Sequence, residues 1–286
     1  MPYSNEINVQ VLISLLKQFN IRYVIASPGT CNVTFVHSLQ QDDFFTLYSA
    51  VDERSAAYMA CGLSAESGEP VVLSCTGATA SRNYIPALTE AFYRKLPILA
   101  VTSMQQFYRV GQLYPQAIDR TVLPKDSCVY SAQIPTIRCR EDLRDCNINI
   151  NTALNMLTFE GGGPVHVNLE TTFSKEYNVQ NLPIARKIEY ANIKNMPVIE
   201  AGRIGIFIGT HKIFSKQEEE LISKFAIKFN CPVFCNHTSN YKGKNKLIYN
   251  LVSDQKNLNP NILAMDLLID IGSVSASHVK FFPGQV

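Results

Sequence analysis

At residues 70–103 the chain reads PVVLSCTGATASRNYIPALTEAFYRKLPILAVTS, with an apolar run at each end. The runs PVVLSCTGA and PILAVTS are short and continuously apolar, which is typical of strands buried on both faces. Between them, SRNYIPALTEAFYRKL has the length of a crossover helix. A strand, a helix and a second strand predict two parallel neighbours in one sheet.

The same alternation extends toward the N-terminus. INVQVLISLLKQF repeats its apolar residues at helical spacing after a capping Ser4 or Asn5. The next predicted elements are the strand RYVIASPG, the helix CNVTFVHSLQQ, the strand FFTLYSAV and the helix RSAAYMACGLSAESG. This order predicts an α/β fold in which a parallel sheet carries helices on both faces.

Toward the C-terminus the alternation breaks between Gln105 and Arg140, where prolines indicate a loop. A helix then ends at glycines 161–163, ahead of the strand PVHVNL. Because a phosphate loop needs the order strand, glycines, helix, these glycines are predicted to cap a helix instead. Residues 176–201 are polar without a sustained period, and they predict a linker between domains at residues 1–175 and 202–286.

The second domain also alternates strands and helices. It begins with RIGIFIGT, continues through a helix whose capping box is Ser215 and Glu218, and contains the strands CPVFCNH and DLLIDIGS. A doubly wound domain normally has about five or six strands. We therefore expect a partial Rossmann-like domain and a chain that is the N-terminal piece of a longer protein.

Composition and charge exclude several classes of protein. Lys and Arg number 26 against 24 Asp and Glu, a net charge of +2 that gives no field for nucleic acid. No apolar run is long enough for a membrane helix, and the first residues do not have the order of a signal peptide. A cytoplasmic protein with no nucleic-acid or membrane partner is the expectation. Several of the eight cysteines lie in apolar runs, so buried thiols are expected rather than disulfides or a metal site.

Four local strings bear on function. They are SPGT at 27–30, DERSAAYMACGLS at 52–64, CTGATASRNYIPALTEAFYRKLPILAVT at 75–102 and QLYPQAIDR at 112–120. In this order they resemble the N-terminal, pyrimidine-binding domain of thiamine-diphosphate-dependent enzymes, over about residues 5–175. Within that superfamily they are most similar to the menaquinone-pathway succinyl-enolpyruvyl-hydroxycyclohexene-carboxylate synthases and to acetolactate-synthase-like enzymes.

The resemblance implies thiamine diphosphate as cofactor and Glu53 as a catalytic residue. In the superfamily a glutamate at this place hydrogen bonds to the pyrimidine ring nitrogen, so that the cofactor's own amino group can act as the base. Without the resemblance, Glu53 is a first-turn glutamate favoured by the helix dipole, after Asp52 as the N-cap.

The resemblance also implies a second catalytic residue, Gln116, facing the reacting thiazolium ring. It places cofactor contacts at Ser27, Pro28, Gly29, Glu53, Thr76, Gly77, Ala78, Thr79 and Asn83. From the residues alone, these positions are turns, a solvated loop and a helix surface, and the small residues let a backbone or a ring approach closely.

Departures from the superfamily bear on the substrate. Cys31 and Asn32 stand where the menaquinone-pathway synthase carries a substrate-binding arginine, and no histidine lies between His37 and His166 for a simple decarboxylase. The resemblance therefore implies a transferase or lyase of the carboligase type, acting on a 2-oxo acid and an acceptor. A 2-oxo acid decarboxylase and a non-catalytic interaction protein are the alternatives. Arg54, Arg82 and Arg109 are candidates to bind an anionic acceptor.

The chain contains no Gly-Asp dipeptide, and the superfamily holds magnesium and the diphosphate through a Gly-Asp-Gly motif in a separate C-terminal domain. The resemblance therefore implies that this chain alone is inactive and that the magnesium site lies elsewhere. It also implies a homodimer or tetramer and leaves a flavin in the central domain open.

Overall fold

The computed structural model describes residues 2–194, 196–248 and 264–273. The chain divides into two compact units between Asn192 and Ile193, inside the segment predicted as a linker. Both units contain parallel strands and helices, so the α/β fold predicted from the sequence is confirmed.

The first unit alternates strands with helices. Its strands are β1 (Tyr3–Ser4), β2 (Tyr23–Ala26), β3 (Thr46–Ser49), β4 (Val71–Thr76), β5 (Ile98–Met104), β6 (Tyr130–Ile134), β7 (Val165–Glu170) and β8 (Tyr177–Val179). Its helices are α1 (Ile7–Gln18), α2 (Val33–Gln40), α3 (Glu53–Ser67), α4 (Ala78–Arg82), α5 (Ile85–Arg94) and α6 (Arg140–Met156).

Six strands form one parallel sheet in the order β3-β2-β4-β5-β7-β6. Every residue of β4, β5 and β7 is buried. Successive side chains of these strands enter two separate cores, because alternate residues of a strand point to opposite faces. Val72 and Leu99 pack with α1, α2 and α6, whereas Leu73 and Ala100 pack with α3 and α5. The helices therefore cover both faces, as predicted.

Three details of the first unit differ from the sequence-based expectations. The N-cap of α1 is Glu6 rather than Ser4 or Asn5, and Ser4 Oγ accepts a hydrogen bond from Glu6 N instead. The helix predicted after β4 is two helices, and Pro86 lies in the first turn of the second, where a missing N–H removes no helical bond. The segment predicted as a loop contains β6, which pairs with β7 at the sheet edge.

Part of the predicted linker is bound to the first unit. The strand β8 pairs with β1, and Ser14 Oγ donates to Pro183 O at 2.7 Å. Asn151 Nδ2 donates to Arg186 O at 2.9 Å. The first unit therefore extends beyond residue 175, because polar side chains of α1 and α6 hydrogen bond to its backbone.

The second unit has a parallel sheet in the order β11-β10-β9-β12. Its elements are β9 (Ile204–Ile208), α7 (Lys216–Lys228), β10 (Val233–Cys235), β11 (Lys246–Ile248) and β12 (Leu267–Ile271). The predicted capping box is present at α7, since Ser215 Oγ accepts from Glu218 N and Glu218 Oε2 accepts from Ser215 N. Within the described ranges, no helix is long and apolar enough to cross a membrane.

Candidate active site

The carboxyl ends of the parallel strands meet at one edge of the six-stranded sheet. Residues 27–30 follow β2, residues 50–53 follow β3, and Thr76 ends β4 with residues 77–79 following it. Ligand sites of open parallel sheets lie outside this edge. Most of the predicted site residues therefore share the side of the sheet where such folds bind their ligands.

Glu53 is the first residue of α3. Asp52 caps the helix, and its Oδ1 accepts hydrogen bonds of 2.7 Å from both the backbone N and the Oγ of Ser55. Glu53 is half-buried, and its Oε2 accepts a long hydrogen bond of 3.5 Å from Asn83 Nδ2. The structure thus brings together two of the predicted site residues, one from α3 and one from the junction of α4 and α5.

Buried groups of low polarity lie close to Glu53. Burial raises the pKa of the Cys75 thiol to about 12, and the Glu53 carboxylate contributes to the rise. Burial also raises the pKa of the Tyr84 hydroxyl well above its ordinary value, and that hydroxyl lies close to the buried Ser27. Both groups are therefore neutral at pH 7, and Glu53 is the acidic group of this cluster.

The turn after β2 packs tightly on Thr76, the last residue of β4. A Cβ added to Gly29 would overlap Thr76 Oγ1 and lie 2.9 Å from Thr76 Cβ. Thr76 Oγ1 also accepts a hydrogen bond of 3.3 Å from Cys31 N, and Asn32 Nδ2 donates to Ser27 O at 3.0 Å. The absent side chain of Gly29 therefore serves the packing of two turns.

Gln116 lies beside this pair of turns. Its side chain is exposed, its φ is 61°, and its Oε1 accepts a contact of 3.8 Å from Cys31 Sγ. Of the other predicted contact residues, Pro28 and Thr79 are exposed, and Ala78 is buried with a φ of 57°. A non-glycine residue at such a φ is strained, and strained residues cluster at functional sites.

The guanidinium of Arg120 lies close against the backbone of Gly77. A Cβ at Gly77 would overlap Arg120 Nη1 and lie 2.7 Å from Arg120 Cζ. The guanidinium of Arg120 therefore occupies the space that the missing side chain leaves. Arg120 is only 2% exposed, and none of its three side-chain nitrogens has a hydrogen-bond partner among the described residues. Burial lowers the pKa of Arg120 to about 10, so the group is still charged at pH 7.

A buried hydrogen-bonded chain crosses the sheet and ends at the backbone of Arg120. Thr102 Oγ1 donates to Asn168 Oδ1 at 2.8 Å, and Asn168 Nδ2 donates to Arg120 O at 3.2 Å. Because the single Thr102 proton is used, His166 Nε2 must donate to Thr102 Oγ1 at 2.8 Å. His166 Nδ1 then accepts from Ser131 Oγ at 3.2 Å. Burial, followed by the charges of Arg120 and Arg82, lowers the pKa of His166 to about 3, which keeps the ring neutral.

Sequence reasoning did not single out Arg120 or this chain. It selected Arg54, which is exposed, Arg82, whose Nη2 donates to Asp119 O at 2.7 Å, and Arg109, which stacks 4.7 Å from the ring centre of Tyr114. The one available signal was the position of Arg120 at the end of the string QLYPQAIDR. Among the residues that the structure describes, no group of three His, Cys, Asp or Glu side chains is placed to hold a metal ion.

Comparisons with known proteins concern mainly the first unit. Residues 8–123 match the family model of the thiamine pyrophosphate enzyme, N-terminal TPP binding domain. A 2-succinyl-5-enolpyruvyl-6-hydroxy-3-cyclohexene-1-carboxylate synthase from Phocaeicola vulgatus is 35% identical over 167 residues, 58% of this chain and 30% of the relative. The synthase of the same name from Porphyromonas gingivalis is 36% identical over 58% of this chain and 29% of its own length. The match therefore spans about a third of the curated relatives.

Solved structures share the fold. The benzoylformate decarboxylase from Polynucleobacter necessarius has a TM-score of 0.51 and 18% identity, over 80% of this chain and 43% of that one. The thiamine diphosphate-dependent 4-hydroxybenzoylformate decarboxylase from Rhodococcus jostii has a TM-score of 0.50 and 21% identity, over 80% and 44%. At these identities the likeness concerns architecture alone.

Proposed function

We propose, from the premise that residues 8–123 form the N-terminal domain of a thiamine-pyrophosphate enzyme, that this chain holds the pyrimidine ring of the cofactor. The proposed reaction is the decarboxylation of a 2-oxo acid, followed by carbon–carbon bond formation with an acceptor. The names of the curated relatives, which are synthases, support a carboligase rather than a simple decarboxylase.

The position of Glu53 carries this proposal. Its carboxyl group stands at the helix start beside β3, half-buried, with Asn83 on one side and the neutral Cys75 and Tyr84 close by. A carboxyl group in such surroundings can share a proton with a ring nitrogen. Thiamine diphosphate, when bound, supplies the electron sink for decarboxylation.

The neighbours of Glu53 fix its geometry. Asp52 holds the first turn of α3 through two hydrogen bonds to Ser55, so that the backbone of Glu53 has a defined direction. Asn83 restrains one carboxyl oxygen of Glu53. In this proposal the other oxygen meets the pyrimidine nitrogen, and the close packing of Gly29 on Thr76 sets the adjacent wall.

Gln116 is proposed to orient the 2-oxo acid. Its amide lies on the exposed side of the turn that contains Cys31, at the sheet edge shared with Glu53. An amide offers both a donor and an acceptor, which suits a carbonyl oxygen next to a carboxylate.

The remaining parts of the active protein belong to the same proposal. The diphosphate and its magnesium ion are assigned to a different domain, so the 286-residue chain alone is inactive. The complete enzyme is a cytoplasmic dimer or tetramer. The assignment of the diphosphate site to a different domain is supported by the length of the curated relatives, about a third of which matches this chain.

The test is the substitution Glu53→Gln in the holoenzyme reconstituted with thiamine diphosphate and magnesium. Glutamine keeps the size, and its amide can donate a hydrogen bond but cannot transfer a proton to the ring nitrogen. We expect proton–deuterium exchange at the thiazolium carbon to slow by about 100- to 10,000-fold, roughly 3 to 5 kcal/mol of barrier. The melting temperature should change little, since the cap is on Asp52.

The matched control is Glu66→Gln, which removes an exposed carboxylate from the same helix. Its exchange rate should equal that of the wild type. An unchanged exchange rate in Glu53→Gln would contradict the proposed function.

A further inference from the structure

The last residue of β7, Glu170, carries a buried carboxylate that binds two other parts of the chain. The residue is 8% exposed. Its Oε1 accepts a hydrogen bond of 2.7 Å from Phe107 N, and its Oε2 accepts one of 3.2 Å from Thr136 N. In the sheet, β7 lies between β5 and β6. Glu170 therefore binds the chain just after each of its two neighbouring strands has ended.

The backbone of Glu170 is itself held in place. Asn8 of α1 is buried, and its Nδ2 donates to Glu170 O at 2.8 Å and to Pro135 O at 3.1 Å. A carboxylate suits this position because both of its oxygens accept hydrogen bonds, whereas an amide has only one acceptor oxygen. Each backbone N–H that binds a charged oxygen also makes a stronger bond than it would with a neutral one.

The contact at Phe107 fixes one end of a segment that contains Gln116. The other end of this segment, residues 107–120, is fixed at Arg120, whose O accepts a hydrogen bond of 3.2 Å from Asn168 Nδ2. Asn168 and Glu170 lie on the same face of β7, because alternate residues of a strand share a face. One row of β7 side chains thus binds the 107–120 segment on both sides of Gln116.

The 107–120 segment has a backbone that needs such anchors. Leu113 and Gln116 have φ values of 60° and 61°, which are strained for residues other than glycine. Strained residues persist only where the surrounding structure over-determines them. The side chain of Gln116 contacts Cys31 Sγ at 3.8 Å, and Cys31 O accepts a hydrogen bond of 3.1 Å from Thr171 Oγ1. The end of β7 therefore fixes both partners of this contact.

We propose that Glu170 is a positioning residue, which holds the 107–120 segment so that Gln116 stays against Cys31. The inference deepens the proposed function, on which it rests for the role of Gln116 toward the 2-oxo acid. Glu170 acts through the N–H of Phe107 rather than by touching substrate or cofactor. Without the carboxylate, that N–H loses its acceptor and the segment moves away from Cys31.

The experiment measures alkylation of Cys31 by N-ethylmaleimide in the 286-residue chain, followed by peptide mass spectrometry. Cys31 is 2% exposed, and burial raises the pKa of its thiol, so the wild type should react slowly. The exposed Cys139 is the internal reference. In Glu170→Met, which has no acceptor, we expect Cys31 alkylation to rise at least about tenfold relative to Cys139. Glu170→Gln keeps one acceptor oxygen and should show a smaller rise.

A second variant removes the donor and leaves Glu170 in place. Phe107 is the first residue of a short 3-10 helix, and Gln106 has φ −54° and ψ 136°, a conformation that a following proline permits. Phe107→Pro should therefore raise Cys31 alkylation as Glu170→Met does. The matched control is Phe107→Ala, which loses the same ring but keeps the N–H, and it should react like the wild type.

Glu6→Met controls for general loss of stability. Glu6 is also 8% exposed, and its carboxylate accepts hydrogen bonds of 3.1 Å from Thr172 N and Ser174 N, in a different part of the chain. Its melting temperature should fall while Cys31 alkylation stays at the wild-type rate.

Two kinds of result would overturn the inference. One is unchanged Cys31 alkylation in either Glu170→Met or Phe107→Pro. The other is an equal rise in Glu6→Met or Phe107→Ala. The proposed function fails separately: normal thiazolium exchange in Glu53→Gln, with Cys31 alkylation still dependent on Glu170, would refute that function and leave the positioning of the segment intact.

Discussion

Glu53 and Arg120 are opposite charges at the same edge of one sheet, but their surroundings differ. Glu53 stands in the first turn of α3, half-buried, behind a helix cap and beside Asn83. Arg120 lies in an irregular segment, is buried, and has no acceptor among the described residues. The carboxylate is placed by local structure, whereas the guanidinium is placed by residues more than 40 positions away.

This difference indicates two ways in which the fold prepares a charged group. A helix start fixes the direction of Glu53 with few residues and leaves the carboxyl group partly solvated, so its charge costs little. Arg120 is positioned by a buried hydrogen-bonded chain across three strands, and its charge, which has no acceptor among the described residues, opposes folding. Residues retained at a cost in stability are candidates for function.

The largest expected effect on stability comes from His166, which belongs to the buried hydrogen-bonded chain that ends at the backbone of Arg120. Its pKa is about 3 in the folded chain and 6.5 when unperturbed, so between these values only the unfolded state binds the proton. The free energy of unfolding should therefore fall as the pH drops from 6.5 to about 3, by about 1.4 kcal/mol per pH unit and about 5 kcal/mol in all.

Urea denaturation at a series of pH values measures this slope. The variant His166→Gln does not titrate, so its curve should lose the part of the slope that His166 contributes, while the part from carboxylates remains. Equal slopes of unfolding free energy against pH for the two proteins would show that the His166 ring is not held neutral. They would also contradict the view that the hydrogen bonds of His166, Thr102 and Asn168 position Arg120.

The secondary structure around Glu53 could be predicted from the sequence, whereas the burial of Arg120 could not. The cap at Asp52 and the start of α3 follow from local residue types, and the buried strands β4 and β5 follow from continuous apolar runs. The strand β6 was not predicted, because YSAQI is half-polar and lies between prolines at a sheet edge. Burial of Arg120 depends on Asn168 and Gly77, contacts that no local pattern contains.

A smaller effect is expected at Gly29, which packs on Thr76. In Gly29→Ala the new methyl group would overlap Thr76, whose β-branched side chain has little freedom to move. We expect a loss of about 1 to 3 kcal/mol in the free energy of unfolding, measured by urea denaturation. Gly62→Ala is the control, since no atom lies within 4 Å of its added Cβ and alanine favours a helix by about 0.5 to 1 kcal/mol. A Gly29→Ala protein as stable as the wild type would show that the two turns are not locked together.

The smallest effect is expected from Gly77→Ala. The added methyl group overlaps the end of the Arg120 side chain, which can swing away more easily than a threonine. We expect the free energy of unfolding, measured by urea denaturation, to fall by less than in Gly29→Ala, by about 1 kcal/mol or less. A larger loss would show that the Arg120 guanidinium is held rigidly against Gly77.

The central claim is that Glu53 activates the cofactor and that Arg120 does not. The most direct test compares Glu53→Gln with Arg120→Met in the reconstituted holoenzyme. The measured quantity is proton–deuterium exchange at the thiazolium carbon, which depends on activation of the cofactor and not on the second substrate. The account predicts that exchange is slowed by about 100-fold or more in Glu53→Gln and is unchanged in Arg120→Met. Exchange that is normal in Glu53→Gln, or equally slow in both variants, would contradict it.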